Sequence, residues 1–181
     1  LKGVGPGEAT MYFLMDDAQL GGGGSAGVDL VVGGTQYEIK ASLYSANEKV
    51  ATGFKLGGTA PLSGILSQLL KYKKELNLQT AGKGQNEVNG NQMAAIRKAY
   101  PSEYAKLDAE YGRIAGKYFG NTPVIFINNN SSSKVDPEDK AEKTRQLSRN
   151  AGNVLAIKKV TARDVTMQVA SQGTIKPKVK I

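Results

Sequence analysis

Cysteine and histidine are both absent from this 181-residue chain, and each absence removes a class of chemistry. Without cysteine there is no disulfide framework and no thiolate nucleophile, a composition that suits a reducing compartment. Without histidine there is no serine triad, no imidazole zinc site and no histidine–metal nuclease motif. Any metal must therefore be held by oxygen, which favours magnesium, manganese or calcium. Long apolar runs are also lacking. No stretch approaches the roughly 20 residues of a membrane span, and no secretory signal pattern is visible. No membrane partner is expected, and the chain reads as cytoplasmic. What remains is ordinary for a globular protein: 40% hydrophobic and 22% charged residues, enough to expect a single domain over residues 1–181.

Charge is unevenly placed. The net charge is +8, yet Leu1 to Glu142 carries 15 basic and 15 acidic residues. The whole excess lies in 143–181, where nine lysines and arginines meet one acid, Asp164. A basic segment so concentrated is an electrostatic footprint for a polyanion, most simply nucleic acid. Lys158, Lys159, Arg163, Lys176, Lys178 and Lys180 are the candidate contacts to a DNA backbone.

Along the chain, Glu8 to about Leu20 reads as a helix, followed by the glycine string Gly21 to Gly24. Ser42 to Gly58 is polar and suits a loop or an extended edge. Pro61 to Leu78 has the clearest helical stripe, through Leu62, Ile65, Leu66, Leu69 and Leu70. Further helices are expected over Gln92–Ala99 and Ser102–Tyr118; in the second, Tyr104, Leu107, Tyr111, Ile114 and Tyr118 recur at core spacing. The Gly82-Lys83-Gly84 segment lacks the surroundings of a phosphate-binding loop. Pro123 to Asn128 reads as a strand buried on both faces, Asn129 to Lys134 as a loop, and Asp136 to Asn150 as an exposed helix or arm. Strands follow over Val154–Val160, Val165–Ala170 and Ile175–Ile181. This order argues for an α/β or α+β fold, a mixed sheet flanked by helices.

The stretch Val28 to Ala41 carries the chemistry. Two β-branched runs flank Gly33-Gly34, a pair that suits a two-residue turn with positive φ. With that turn, facing residues sum to 67, so Asp29 is expected opposite Glu38. Alternation puts Lys40 on the face of Glu38, and Val28, Leu30, Val32, Tyr37 and Ile39 on the other. Two carboxylates held close repel, and a divalent ion relieves that repulsion. Asp29, Glu38 and the Ile39 carbonyl are oxygen ligands suited to Mg²⁺ or Mn²⁺. Lys40 is placed to orient or deprotonate a water and to stabilise developing charge.

Asp29, eight intervening residues, then Glu38-Ile39-Lys40 resembles the active-site pattern of the PD-(D/E)XK nuclease superfamily, the restriction-endonuclease-like fold. Val28 stands where the family name has proline. The resemblance implies Mg²⁺-dependent hydrolysis of DNA, with Asp29, Glu38 and Lys40 as the catalytic set. Many members add an acid on the preceding helix, and Glu8 is the matching candidate, so it joins the expected catalytic residues. The composition resembles phage-encoded members, for which the host cytoplasm or the virion is the expected location. Two alternatives stay open: a non-catalytic or virion-associated nucleic-acid-binding module on the same fold, and a structure-specific nuclease such as a junction resolvase, which implies a homodimer.

Overall fold

The computed structural model describes residues 8, 11–13, 15–21, 28–57, 61–79, 82–128 and 154–181. It is a mixed α/β protein, and the chain divides into two compact units. One holds Leu1–Ala51, Phe119–Val160 and Ile181; the other holds Thr52–Tyr118 and Thr161–Lys180. The glycine string beyond Gly21 and the expected loop and helix within 129–150 lie outside the described residues. Among the described residues no helix is long and apolar enough to cross a membrane.

The first unit is built on strands β1 (Ala18–Leu20), β2 (Leu30–Val32), β3 (Thr35–Ser45), β4 (Val50–Thr52, whose last residue belongs to the second unit), β5 (Val124–Asn128) and β6 (Val154–Lys158). The expected turn is present: Gly33 and Gly34 have φ of 54° and 79°, which glycine adopts without a Cβ penalty. The register is the expected one, with Leu30 facing Tyr37 and Val32 facing Thr35. β1 pairs antiparallel with β2, β3 runs parallel to β5, and β6 closes antiparallel on β5. The polar stretch after Ser42 is extended but not an edge: β3 continues to Ser45, and β4 lies beside it.

The helix expected to reach Leu20 does not. Residues 11–13 are helical, then Asp16 and Asp17 turn the chain and Ala18–Leu20 is a strand. Asp17 sits at φ 59°, a left-handed conformation that ends a helix and that aspartate tolerates better than most residues. Met11, Leu30, Ile39, Ile125 and Ile127 form a buried cluster, with Met15, Ala18, Leu20, Val32 and Tyr37 packed on it. The predicted apolar face of the hairpin is therefore the face that makes the core. Val124 to Ile127 of β5 are all buried, as a run without alternation requires.

The second unit contains α1 (Ser63–Glu75), α2 (Gly90–Ala99), α3 (Pro101–Phe119, whose last residue belongs to the first unit), β7 (Val165–Ser171) and β8 (Thr174–Lys180). α1 starts two residues after Pro61. It ends where Asn77 takes φ 54° and the amides of Leu78 and Asn77 donate to the Lys73 and Lys74 carbonyls, a left-handed C-terminal cap. α2 opens on a reciprocal cap between Asn89 and Gln92. Lys73 is buried, and its ammonium donates to the Gly84 and Glu87 carbonyls at 2.7 Å each. The Gly82–Asn86 turn is thus tied to α1. Tyr104, Tyr111 and Ile114 are core residues, and the Tyr111 hydroxyl donates to the Ile175 carbonyl at 2.9 Å. At Gly112 an added Cβ would lie 2.5 Å from the Ala162 carbonyl oxygen, so α3 approaches the Ala162–Asp164 turn more closely than a larger residue permits.

Candidate active site

β3 presents its polar residues on one face because side chains alternate along a strand. Glu38, Lys40 and Ser42 share that face, opposite Ile39 in the core. Glu38 is only 5% exposed, and its carboxylate forms an ion pair with the Lys40 ammonium. Two residues further along, the buried Ser42 hydroxyl donates to the Ile127 carbonyl at 3.4 Å. A carboxylate withdrawn from water this far needs a compensating cation, and Lys40 supplies one.

Asp29 departs from the expected pairing. The β2–β3 ladder ends at Leu30 and Tyr37, and the Asp29 amide donates to the Tyr37 carbonyl at 2.9 Å, one residue out of register. Its side chain takes the place of backbone: Asp29 Oδ2 accepts the Ile39 N–H at 2.7 Å. Asp29 is thus not a cross-strand partner of Glu38. Its carboxylate lies along the β3 edge at Ile39, while its own carbonyl still accepts from Gly21 in register with β1. A strand residue turns its N–H and C=O to the same side. The Ile39 carbonyl therefore opens toward the side on which the Asp29 carboxylate is fixed.

Two pairs are thus formed on neighbouring residues of β3, the Asp29 carboxylate on the Ile39 amide and the Glu38 carboxylate with the Lys40 ammonium. The candidate metal ligands are all hard oxygens, the kind that Mg²⁺ and Mn²⁺ take. Among the described residues no group of three or more His, Cys, Asp and Glu side chains gathers, so an ion here would draw on the Ile39 carbonyl and on water as well. Glu8 is helical and half-buried. Met11 packs with Leu30 and Ile39, on the side of β3 opposite Glu38 and Lys40.

The six basic candidates divide between the units. Lys158 ends β6 and Lys159 follows it in the first unit; Arg163, Lys176, Lys178 and Lys180 lie in the second. On β8 the lysines alternate with buried Ile175, Pro177 and Val179, so all three share the face turned from the core. In the first unit, Glu38 pairs with Val124 and Val124 pairs with Lys158. Paired residues project to the same face, so Glu38, Val124 and Lys158 form one row. The next row is Lys40, Phe126 and Ala156. The sequence places Lys158 only among the basic C-terminal contacts to a DNA backbone, because nothing local in Val154 to Val160 indicates which strand it joins.

Comparison with protein-family models, curated proteins and solved structures yields no match.

Proposed function

We propose that this chain is a metal-dependent DNA endonuclease of the restriction-endonuclease-like fold. One observation carries the reading: a single tight hairpin fixes the Asp29 carboxylate on the Ile39 amide and, on the adjoining face, pairs buried Glu38 with Lys40. The spacing is that of the PD-(D/E)XK pattern. The mixed sheet, with β3 between an antiparallel and a parallel neighbour, gives the rigid support such a site needs.

Asp29, Glu38 and the Ile39 carbonyl would hold Mg²⁺ or Mn²⁺. When bound, the ion lowers the pKa of a water and neutralises charge on the phosphate. Glu38 has a second task, to keep the Lys40 ammonium in place. Lys40 orients the attacking water and meets negative charge as it builds on phosphorus-bound oxygen. In the hydrolysis the attacking water gives up a proton to solvent as its oxygen bonds to phosphorus, one ester P–O bond breaks, and the departing oxygen takes a proton from solvent. The Asp29–Ile39 bond holds the edge residue still through these changes. The β8 lysines bind the DNA backbone without reading sequence.

Supercoiled plasmid and linear duplex, each incubated with the protein in Mg²⁺, Mn²⁺ or EDTA, test this reading. Nicked or cut product with either metal and none with EDTA is the expected result. Salt-sensitive DNA binding without cleavage of any substrate would contradict it and leave a binding module on the same lysine face.

A further inference from the structure

We infer that the second unit carries a nucleotide-binding cleft, separate from the hairpin site and independent of the nuclease reading. The cleft has a volume of about 570 Å³ and is partly open to solvent, within the roughly 300–1,000 Å³ range of small-molecule sites. Its described wall residues all belong to the second unit. α1 forms one wall. Leu62, Leu66 and Leu70 recur there every four residues, and Ser63 and Ser67 run in a second row beside them. Leu62 is buried, whereas Leu66 and Leu70 are only half-buried, so part of this apolar wall is open. The other walls come from residues 55–57 and from the β7–β8 turn at residues 172–174.

Two contacts fix these walls. The Lys55 ammonium donates to Gln172 Oε1 at 2.7 Å, tying the one segment to the other. At Gly57 an added Cβ would lie 2.7 Å from a Tyr118 ring carbon, so this wall is packed on that ring. The charge in the cleft has one sign. Among the described residues that line it, Lys55 is the single charged side chain, and no acid stands beside it. Its bond to Gln172 uses one of the three N–H groups of the ammonium. The cleft therefore suits an anion, and its walls say which kind. An inorganic anion would leave the leucines facing water. An alkyl chain would cover the serine hydroxyls without replacing their hydrogen bonds to water, which is costly. A nucleotide satisfies both walls. Its phosphate takes the remaining N–H groups of Lys55, its flat base covers Leu66 and Leu70, and the polar edge of the base meets Ser63 and Ser67. Hydroxyls both donate and accept, so the cleft should bind the four bases with similar affinity.

The test is equilibrium dialysis of the full chain against dAMP in EDTA, where metal-dependent cleavage plays no part. The competitors are deoxyadenosine, inorganic phosphate and decanoate. The variants are Lys55→Met, which keeps the stem, Leu66→Ser, and Lys106→Ala. Lys55 is exposed and Leu66 half-buried, so both variants should fold, as thermal melts will show; Lys106 is exposed on α3 and controls for the loss of one charge. Saturable dAMP binding with Kd below about 1 mM is expected. Lys55→Met should weaken it about tenfold, the scale of one hydrogen bond to a charged group, and Leu66→Ser about fivefold. Lys106→Ala should bind as wild type. Deoxyadenosine and inorganic phosphate should each compete at least about tenfold more weakly than dAMP, since each keeps half of the contacts. No saturable binding of dAMP, or equal affinity in folded Lys55→Met, would overturn the inference. Displacement of dAMP by decanoate at equal concentration would also overturn it, making the cleft a site for alkyl anions. The nuclease reading survives each of these results, because none of the groups tested belongs to the hairpin.

Discussion

The β2–β3 hairpin turns at Gly33-Gly34 and the β7–β8 hairpin at Gln172-Gly173, each with two successive positive φ angles, 54° and 79° in the first and 54° and 72° in the second. Both bury one face and leave polar residues on the other, yet the polar faces differ. In β2–β3 the charged residues are withdrawn from water and paired, and the ladder breaks at Asp29 so that a carboxylate replaces a carbonyl at Ile39. In β7–β8 the charges are three lysines of one sign, spaced two residues apart. There too the ladder slips, between Met167 and Val169, and an acid supplies the missing acceptor: Asp108 takes the Met167 N–H at 2.7 Å. Opposite Met167 stands Pro177, which has no N–H to give. The same turn chemistry thus supports a site where charge is buried and paired, and a face whose charged residues on β8 are all lysines, half-buried at Lys176 and Lys178 and exposed at Lys180. Under the proposed nuclease function, the first arrangement would serve bond breaking at one phosphate and the second would hold many.

The comparison breaks most sharply in activity. Glu38→Gln should lower metal-dependent cleavage on the order of 1,000-fold, measured as the single-turnover rate. Lys178→Ala should show its loss mainly in affinity. Equal losses of rate in both variants would erase the distinction between the hairpins.

The second prediction concerns stability. Removing Lys40 alone leaves a buried carboxylate without its cation, at a cost of about 3 kcal/mol. Lys40→Met should therefore unfold at clearly lower urea concentration, and Glu38→Gln combined with Lys40→Met should recover most of the loss. No recovery in the double variant would mean that the pair is not coupled.

The third prediction is electrostatic. Each of Lys176→Ala, Lys178→Ala and Lys180→Ala should flatten the slope of log affinity against log salt by about 0.9, read by fluorescence anisotropy on duplexes of unrelated sequence. Sequence-dependent losses would instead make the β8 face a reader of bases.

The smallest effect is a pH dependence. Burial holds the Asp108 carboxyl above its ordinary value of 3.8, opposed by the Met167 N–H and by Arg97. The folded state therefore binds this proton more tightly than the unfolded state does. That contribution is present below 3.8 and is lost as pH rises through the raised value. Asp108→Asn keeps an acceptor for Met167 and should remove that decline from a plot of unfolding free energy against pH. An unchanged plot would show that the carboxyl does not titrate differently on folding.

Much of this organisation is legible in the sequence where it is local. The Gly33-Gly34 turn, the alternation around Glu38 and Lys40, the apolar run of β5 and the stripe of α1 all follow from periodicity and turn chemistry. The strand at Ala18–Leu20 is not legible, because one left-handed residue, Asp17, ends the helix there, and helical spacing carries no sign of it. Asp29 is a similar case. The register predicts its neighbours, but a side chain substituting for backbone is a tertiary event. Lys158 lies furthest from local sequence, since its place in the row of Glu38 and Val124 depends on the pairing of β3 with β5 and of β5 with β6, separated by long stretches of chain.

The central claim, that the hairpin edge is a catalytic centre, is tested most directly by Asp29→Asn. The amide oxygen can still accept the Ile39 N–H, so the edge is preserved while the negative charge is removed. The account predicts that Mg²⁺-dependent cleavage of supercoiled plasmid falls on the order of 1,000-fold, with DNA affinity within about threefold of wild type. Cleavage at the wild-type rate by a folded Asp29→Asn protein would contradict it.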